Sequence, residues 1–273
     1  MFESYREFHY TLAGRPLIIE TGKMAGLANG SCLVRYGDTV ILATATASEK
    51  PRDGVDFLPL SVDFDERQYA AGKIPGGYFR REGRPTEKAI ITSRLIDRPL
   101  RPLFPKDLRN DVAINLLVLS VDLDNSPEIA AMLGASVALS ISDIPWNGPI
   151  AGVFVGLVDG EYVLNPTAAQ RERSRLELTV AGTKEKVIMI EAGAKEVSNE
   201  EMYNAIMFAQ EENKKLCEFI ANIQAEIGKP KFEYTPEEIN QELYEKIKEF
   251  CIEDVKAALD TDDKNVRDEA MQA

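Results

Sequence analysis

Residues 72–109 read GKIPGGYFRREGRPTEKAIITSRLIDRPLRPLFPKDLR, and this stretch concentrates positive charge in an acidic protein. It holds ten basic and four acidic residues, a net charge of +6, whereas the whole chain of 273 residues carries −13. A positive segment in a negative protein is a local device for holding a polyanion. The acidic balance elsewhere argues against a chain that coats duplex DNA without sequence preference.

The first part of this stretch has the composition of a loop that binds single-stranded RNA. Two aromatic residues stand directly before two arginines, and glycines flank the group on both sides. Aromatic faces stack on bases and guanidinium groups grip phosphates. The alternative is that the aromatic side chains pack into the core, but the flanking glycines favour an exposed loop. The predicted RNA-binding residues are Tyr78, Phe79, Arg80, Arg81 and Arg84.

A helix is predicted from Thr86 to about Asp97, on the spacing of its apolar residues. Pro99 disfavours helical geometry at Arg98, so the helix is expected to end there. Prolines then recur at every third residue, which is the period of polyproline II. This spacing predicts that the segment after the helix is extended.

Three arginines of this region are candidates for binding phosphate: Arg94, Arg98 and Arg101. Arg94 and Arg98 are four residues apart, so they share one face of the predicted helix. A pair of arginines facing a cleft suits an oxyanion. The alternative is that Asp97 and Glu87 pair with these arginines in a purely structural role.

The rest of the chain alternates strand and helix patterns and predicts an α/β (α+β) fold. Strands rich in β-branched residues fill the first 66 residues, with a tight hairpin at Tyr36-Gly37-Asp38. Helices are predicted from Ser126-Pro127 to about Ser142 and from Ser198 to about Ile227. A helical module follows Gly228-Lys229-Pro230, with the apolar spacing Ile239, Leu243, Ile247, Phe250 and Val255. The predicted divisions are residues 1–145 and 146–228, two parts of one core, and residues 229–273.

Composition narrows the class of protein further. No apolar run approaches the roughly 20 residues of a membrane helix, and the N-terminus lacks the apolar block of a signal peptide. The three cysteines are far apart and odd in number, which predicts reduced thiols in the cytoplasm. The single histidine, His9, excludes a multi-histidine metal site and is expected to be structural.

The run from Ile74 to Pro105 resembles the first ribonuclease-PH-like core of the bacterial polynucleotide phosphorylase family. Supporting matches are ETGKMA at Glu20–Ala25, DIPWNGP at Asp143–Pro149, YVLNPT at Tyr162–Thr167 and VAGT at Val180–Thr183. The resemblance covers the chain from end to end. It implies a core of the ribosomal protein S5 domain 2-like class, followed by the opening of an all-helical linker domain.

The resemblance also implies an activity and partners. Members of this family are cytoplasmic homotrimers that degrade single-stranded RNA from the 3′ end, using inorganic phosphate and Mg²⁺, and release nucleoside diphosphates. They contain a second core and RNA-binding KH and S1 domains, so this chain would be an N-terminal fragment. The Tyr78–Arg81 loop matches the family's channel loop. Other RNA-degradation enzymes are possible partners of the parent protein, whereas membranes and DNA are not expected.

One departure from the family places the catalytic centre outside this chain. In the family's catalytic core, the strand before VAGT carries two metal-binding aspartates and a catalytic lysine. The same register here has Arg171, Glu177 and Thr179. A site that exchanges a carboxylate for an arginine loses a ligand and its charge balance. We therefore predict no catalytic residue and no metal ligand in this chain, and no phosphorolytic activity of the chain by itself.

Two other functions remain open at this point. One is a single-core nuclease of the tRNA-processing ribonuclease PH type, active by itself, against which the helical tail and the lost carboxylates count. The other is a non-catalytic RNA-binding ring subunit, as in exosome-like assemblies.

Overall fold

The structure is a computed structural model that describes residues 4–52, 54–234 and 240–272. Contacts divide the chain into two compact units, Met1–Tyr234 and Thr235–Ala273. Within the described residues, no helix combines the length and the apolar character that crossing a lipid bilayer requires.

The first unit contains a six-stranded sheet. Its strands are β1 (Arg6–Leu12), β2 (Arg15–Thr21), β3 (Gly30–Tyr36), β4 (Thr39–Pro51), β5 (Leu60–Glu66) and β6 (Asn110–Ser120). They lie in the order β1-β2-β3-β4-β6-β5, and only the β5–β6 pair is parallel. The predicted hairpin between β3 and β4 is confirmed, because Tyr36 pairs with Thr39 across a two-residue turn. Gly37 takes the left-handed conformation there, with φ of 57°.

A second, four-stranded sheet completes the unit. Its strands are β7 (Ala151–Val158), β8 (Glu161–Leu164), β9 (Leu176–Gly182) and β10 (Val187–Ala194), in the antiparallel order β10-β9-β7-β8. The helices of the unit are α1 (Glu87–Leu100), α2 (Pro127–Ile141), α3 (Ala168–Arg173) and α4 (Asn199–Ile227). The predicted start of α4 is confirmed, since Ser198 and Glu201 form a reciprocal capping box.

Helix α2 is the centre of the core. All 15 of its residues are buried, and it packs on β3 and β4 of the first sheet and on β7 and α4 on the other side. Its small residues allow this close approach: a Cβ at Gly134 would lie 2.9 Å from the Ala43 Cβ and 3.1 Å from Val34 Cγ2. Small residues therefore let α2 pack closely on the sheet.

The segment that follows α4 forms hydrogen bonds with the C-terminal end of α2. The Lys231 ammonium donates hydrogen bonds to three carbonyl oxygens, those of Leu139 (2.9 Å), Ser140 (3.1 Å) and Ser142 (2.7 Å). A cation at this position satisfies the carbonyls that a helix end leaves without partners. The Phe232 amide also donates to the Asp143 carbonyl, at 2.7 Å. Residues 229–234 therefore pack with the first unit.

The predicted end of α1 is wrong. The helix continues through Pro99 to Leu100, and a 3-10 turn at Arg101–Leu103 replaces the predicted polyproline II segment. Burial of Ile96 and Leu100 stabilises this last turn, and the Trp146 indole donates to the Leu100 carbonyl at 3.1 Å. Tertiary contacts thus outweigh the local preference of the residue before a proline.

Ser126 and Gly182 each make local contacts that their sequence context does not indicate. Ser126 precedes α2 as expected, but its hydroxyl donates to the Glu128 carboxylate and makes no capping bond to the backbone. Gly182 does not form a turn: it ends β9 opposite Val187, and residues 183–186 form the loop. A Cβ on Gly182 would lie 2.5 Å from the Lys186 carbonyl oxygen, so close packing requires glycine there.

The second unit is helical in its described part. It contains α5 (Gln241–Leu259) and α6 (Lys264–Gln272), and Asn240 caps α5 by accepting a hydrogen bond from the Leu243 amide. The helical spacing predicted for Leu243, Ile247, Phe250 and Val255 falls on α5. Ile239, the first residue of that pattern, lies outside the described residues.

Candidate nucleic-acid interface

The loop from Gly72 to Thr86 is exposed, as the sequence predicts. Tyr78 and Phe79 expose 94% and 78% of their surface, and their rings contact each other edge to face with centroids 5.3 Å apart. Gln68 holds the loop at two places: its amide donates to the Glu82 carboxylate at 3.0 Å, and its carbonyl accepts from the Lys73 amide at 2.9 Å. Two exposed aromatic faces side by side form a surface on which bases can stack.

The arginines of this loop are available to a ligand. Arg80, Arg81 and Arg84 are exposed, and their guanidinium groups make no hydrogen bond or ion pair within the described part of the chain. Arg80 has a φ of 52°, which is uncommon for a residue other than glycine. The loop therefore presents three unpaired cations next to two aromatic rings.

The three candidate phosphate-binding arginines do not converge on one site. Arg101 forms a two-bond ion pair with Asp97, at 3.0 and 2.8 Å, and also donates to the carbonyls of Leu58 and Leu60. Arg98 donates to Glu191 of β10 at 2.7 Å. The structural alternative therefore applies to Arg101, and Arg98 is held by an acid that the sequence did not indicate. Arg94 is exposed and has no partner among the described residues.

A cavity of about 610 Å³ lies between α1 and the second sheet, where residues of β7, β9 and β10 line it. It brings together the three positions at which the chain departs from the family's catalytic pattern: Arg171, Glu177 and Thr179. Neither Arg94 nor Arg98 lines it. Its lining includes four glutamates and only two cationic residues, a net charge of −2 that disfavours an anion such as phosphate.

An ion pair between an exposed lysine and a buried glutamate lies in the wall of this cavity. Lys88 of α1 lies 2.9 Å from Glu128 of α2, and the Glu128 side chain is only 11% exposed. Burial by itself lowers the pKa of Lys88, but the Glu128 carboxylate outweighs this effect, and the pKa of Lys88 is raised. Burial by itself raises the pKa of Glu128, but the Ser126 hydrogen bond and the Lys88 ammonium outweigh it, and the pKa of Glu128 is lowered.

The residues of this cavity do not fit a magnesium ion. Of the three positions at which the chain departs from the family's catalytic pattern, only Glu177 carries a carboxylate. The Arg171 guanidinium donates to the Leu123 carbonyl at 2.7 Å. No group of three or more acidic, histidine or cysteine side chains in the described residues has the geometry to hold a metal. Magnesium in proteins takes carboxylate and other oxygen ligands, and an arginine at a ligand position repels it.

Sequence reasoning missed the Lys88–Glu128 pair and the contact of Arg98 with Glu191. The partners lie 40 and 93 residues apart and on different elements, so no local spacing relates them. The position of Glu128 in the first turn of α2 indicates only a favourable interaction with the helix dipole.

We expect Glu128 to make the stability of the protein depend on pH below neutrality. The folded state lowers the pKa of Glu128 from its ordinary value of 4.5, so the carboxylate stabilises the fold above that pH. This contribution is lost as the pH falls from 4.5 through the lower folded pKa. Urea unfolding at pH 7, 4 and 3 should show a smaller loss of unfolding free energy in Glu128→Gln than in the original protein. Equal losses in the two proteins would contradict this assignment.

Comparison with known proteins places these features in a family. The 3′ exoribonuclease family matches the chain twice, with its domain 1 over residues 13–145 and its domain 2 over residues 148–212. The polyribonucleotide nucleotidyltransferase of Ruminiclostridium cellulolyticum is 60% identical over 264 residues, which cover 97% of this chain and 38% of that protein. The protein of the same name from Clostridioides difficile is 54% identical over 271 residues, which cover 99% of this chain and 38% of that protein.

A solved structure has the same fold. The rice (Oryza sativa) Rrp46 crystal structure superposes with a TM-score of 0.60 at 15% sequence identity, over 82% of this chain and 96% of the rice chain. This confirms the predicted ribonuclease-PH-like fold class. The chain spans about 38% of the length of the curated relatives it matches. With two consecutive domains of one family matched, the chain belongs to the 3′ exoribonuclease family.

Proposed function

We propose that this chain is the RNA-binding and ring-forming part of a 3′-to-5′ phosphorolytic exoribonuclease. The parent enzyme would be a polyribonucleotide nucleotidyltransferase, which converts RNA and phosphate into nucleoside diphosphates in mRNA degradation. The observation that carries the proposal is the exposed Gly72–Thr86 loop, with its two adjoining aromatic rings and three arginines that have no partner among the described residues. The names of the relatives support the reaction.

The chemistry of phosphorolysis explains such a division of labour. Inorganic phosphate is the nucleophile, so the protein needs no nucleophilic side chain of its own. It needs cations that position phosphate, a metal at the leaving oxygen and a channel that admits only single strands. This chain would supply the channel through Tyr78, Phe79, Arg80, Arg81 and Arg84. The magnesium ligands would lie in a second core outside this chain, in a cytoplasmic homotrimer that other RNA-degradation enzymes could join.

A second candidate is a non-catalytic RNA-binding ring subunit. The cavity beside α1 favours it for the chain alone, because the Lys88–Glu128 pair and the net negative lining leave no anion or metal site there. A single-core nuclease of the ribonuclease PH type is less well supported by the same cavity.

The channel role predicts a loss of RNA affinity when the arginines are removed. Arg80→Ala/Arg81→Ala in the 273-residue chain should weaken binding of single-stranded poly(A) about tenfold or more at low salt, because two phosphate contacts are lost. The slope of log K against log[salt] should fall by about 1.4, on the value of roughly 0.7 per contact for single strands. Fluorescence anisotropy at several salt concentrations measures both quantities.

A matched control distinguishes the loss of the loop arginines from a general loss of positive charge. Arg52→Ala/Arg173→Ala removes the same charge from exposed arginines outside the loop, each paired with an aspartate. This control should keep most of the affinity and nearly the full salt slope. Unchanged affinity and slope in Arg80→Ala/Arg81→Ala would contradict the channel role and favour a packing role for the loop.

A further inference from the structure

The Gly72–Thr86 loop contains one acidic residue, Glu82, beside four cationic residues. The cationic side chains are all exposed, whereas Glu82 is partly buried. An acid in a loop that binds RNA repels phosphate, so its charge by itself does not favour that binding. Glu82 also makes no ion pair with any residue that the structure describes, so it is not a salt-bridge partner of the loop arginines.

Glu82 instead attaches the loop to the rest of the first unit. Its carboxylate accepts a hydrogen bond from the Gln68 amide at 3.0 Å, and this is the one hydrogen bond that joins residues 74–85 to any other described part of the chain. The Gln68 amide opens the 3-10 turn Gln68–Ala71, and the side chain of Arg67 before it makes no capping bond. The Glu82 carboxylate therefore takes the place of a cap on this turn.

The turn to which Glu82 binds is itself fixed in the fold. Ala70 is buried, and its carbonyl accepts a hydrogen bond at 3.2 Å from the amide of Val121, the residue directly after β6. The Gln68 carbonyl accepts from the Lys73 amide at 2.9 Å, which sets the direction in which the loop leaves the turn. Glu82 thus connects the exposed part of the loop to the end of β6.

The backbone just before Glu82 has an unfavourable conformation. Arg80 has a φ of 52°, in the left-handed region that residues other than glycine seldom adopt. The Arg80 amide donates to the Gly77 carbonyl at 3.0 Å, which closes a turn around the two aromatic residues. Such a conformation persists only where the surrounding contacts determine it. The contacts on either side of Arg80 are this turn and the bond from Gln68 to Glu82.

We propose that Glu82 is a positioning residue, which holds Arg80 and Arg81 in place before RNA arrives. The proposal rests on the RNA-binding role proposed for the loop. A loop that is ordered in advance loses less conformational entropy on binding, and this difference increases the affinity. Charge and positioning predict opposite results for removal of Glu82: loss of a negative charge alone strengthens RNA binding, whereas loss of the attachment weakens it.

Two variants that remove the same charge separate these effects. Glu82→Gln keeps an oxygen that accepts from the Gln68 amide, whereas Glu82→Ala keeps neither the charge nor the acceptor. Glu82→Ala in the 273-residue chain should bind single-stranded poly(A) about fivefold more weakly than Glu82→Gln does, as measured by fluorescence anisotropy. In the ¹⁵N-labelled chain, the Gln68 amide proton should move further upfield in Glu82→Ala, because only this variant loses the hydrogen bond. Both variants should unfold at the urea concentration of the original chain, because the loop lies outside the core.

The effect of Glu82 should act through the two arginines. In the Arg80→Ala/Arg81→Ala background, Glu82→Ala and Glu82→Gln should bind poly(A) equally, a non-additivity that a general structural defect does not produce. Two results would overturn the positioning role: equal affinities of the two variants when both arginines are present, or the same ratio of affinities with and without the arginines. If Arg80→Ala/Arg81→Ala itself leaves the affinity unchanged, the RNA-binding role of the loop fails, and the positioning role fails with it.

Discussion

The purified 273-residue chain should release no ADP above background when it is incubated with poly(A), phosphate and Mg²⁺. Of the three positions at which the chain departs from the family's catalytic pattern, only Glu177 carries a carboxylate, and Arg171 replaces a metal-binding aspartate of the family. The cavity that contains them has a net charge of −2. Loss of the metal site removes the stabilisation of the leaving oxygen, which is worth at least about 10³-fold in rate. Chromatographic measurement of ADP over several hours checks this expectation.

The polyribonucleotide nucleotidyltransferase from Ruminiclostridium cellulolyticum is the positive control, assayed at the same molar concentration. Activity should also appear when this chain is extended through a second core. Robust ADP release by the chain itself, abolished in Glu177→Gln, would contradict the prediction and favour the single-core ribonuclease PH type of nuclease.

Gly134→Val should destabilise the protein severely. The glycine lies at the middle of α2, where even a first methyl group would meet the Ala43 Cβ at 2.9 Å and Val34 Cγ2 at 3.1 Å. Helix α2 is buried on all sides, so it has no direction in which to relax. Overpacking of this kind costs about 3 kcal/mol or more, and valine adds a lower helix propensity. Urea unfolding followed by circular dichroism measures the change in unfolding free energy.

Gly193→Val is the control for this experiment. Gly193 lies in the exposed part of β10, and a Cβ there would meet nothing within 4 Å. The unfolding free energy of this variant should change by less than about 0.5 kcal/mol. A similarly small change in Gly134→Val would mean that α2 does not pack against β3 and β4 as closely as described.

Much of the fold could be predicted because local signals agree with the tertiary structure. The Ser198–Glu201 capping box and the Gly37 turn are short-range features whose residues interact with their own neighbours. The end of α1 could not be predicted in this way. Burial of Leu100 and its contact with Trp146, 46 residues away, keep the helix intact past a proline. Short elements such as α3 have too few residues to produce a periodic pattern.

The sequence alone predicts the exposed loop of the candidate site but not the contacts of the α1 arginines. The Gly72–Thr86 loop carries its charge, rings and glycines in one continuous stretch, so composition alone indicates an exposed surface. The arginines of α1 depend on acids elsewhere: Glu191 is 93 residues from Arg98. Spacing on one helix shows which side chains share a face but does not show what that face meets in the folded protein.

The position of α2 has a consequence for synthesis on the ribosome. This apolar helix packs on β3 and β4, which precede it in the chain. The elements that cover its other side, β7 and α4, and the lysine that binds its last carbonyls, Lys231, are synthesised later. About 90 residues separate Ser142 from that lysine, which corresponds to roughly 5 to 20 s of translation. During this interval the face of α2 that later packs on β7 and α4 remains uncovered. The core of the first unit therefore closes around α2 only after α4 and Lys231 have left the exit tunnel.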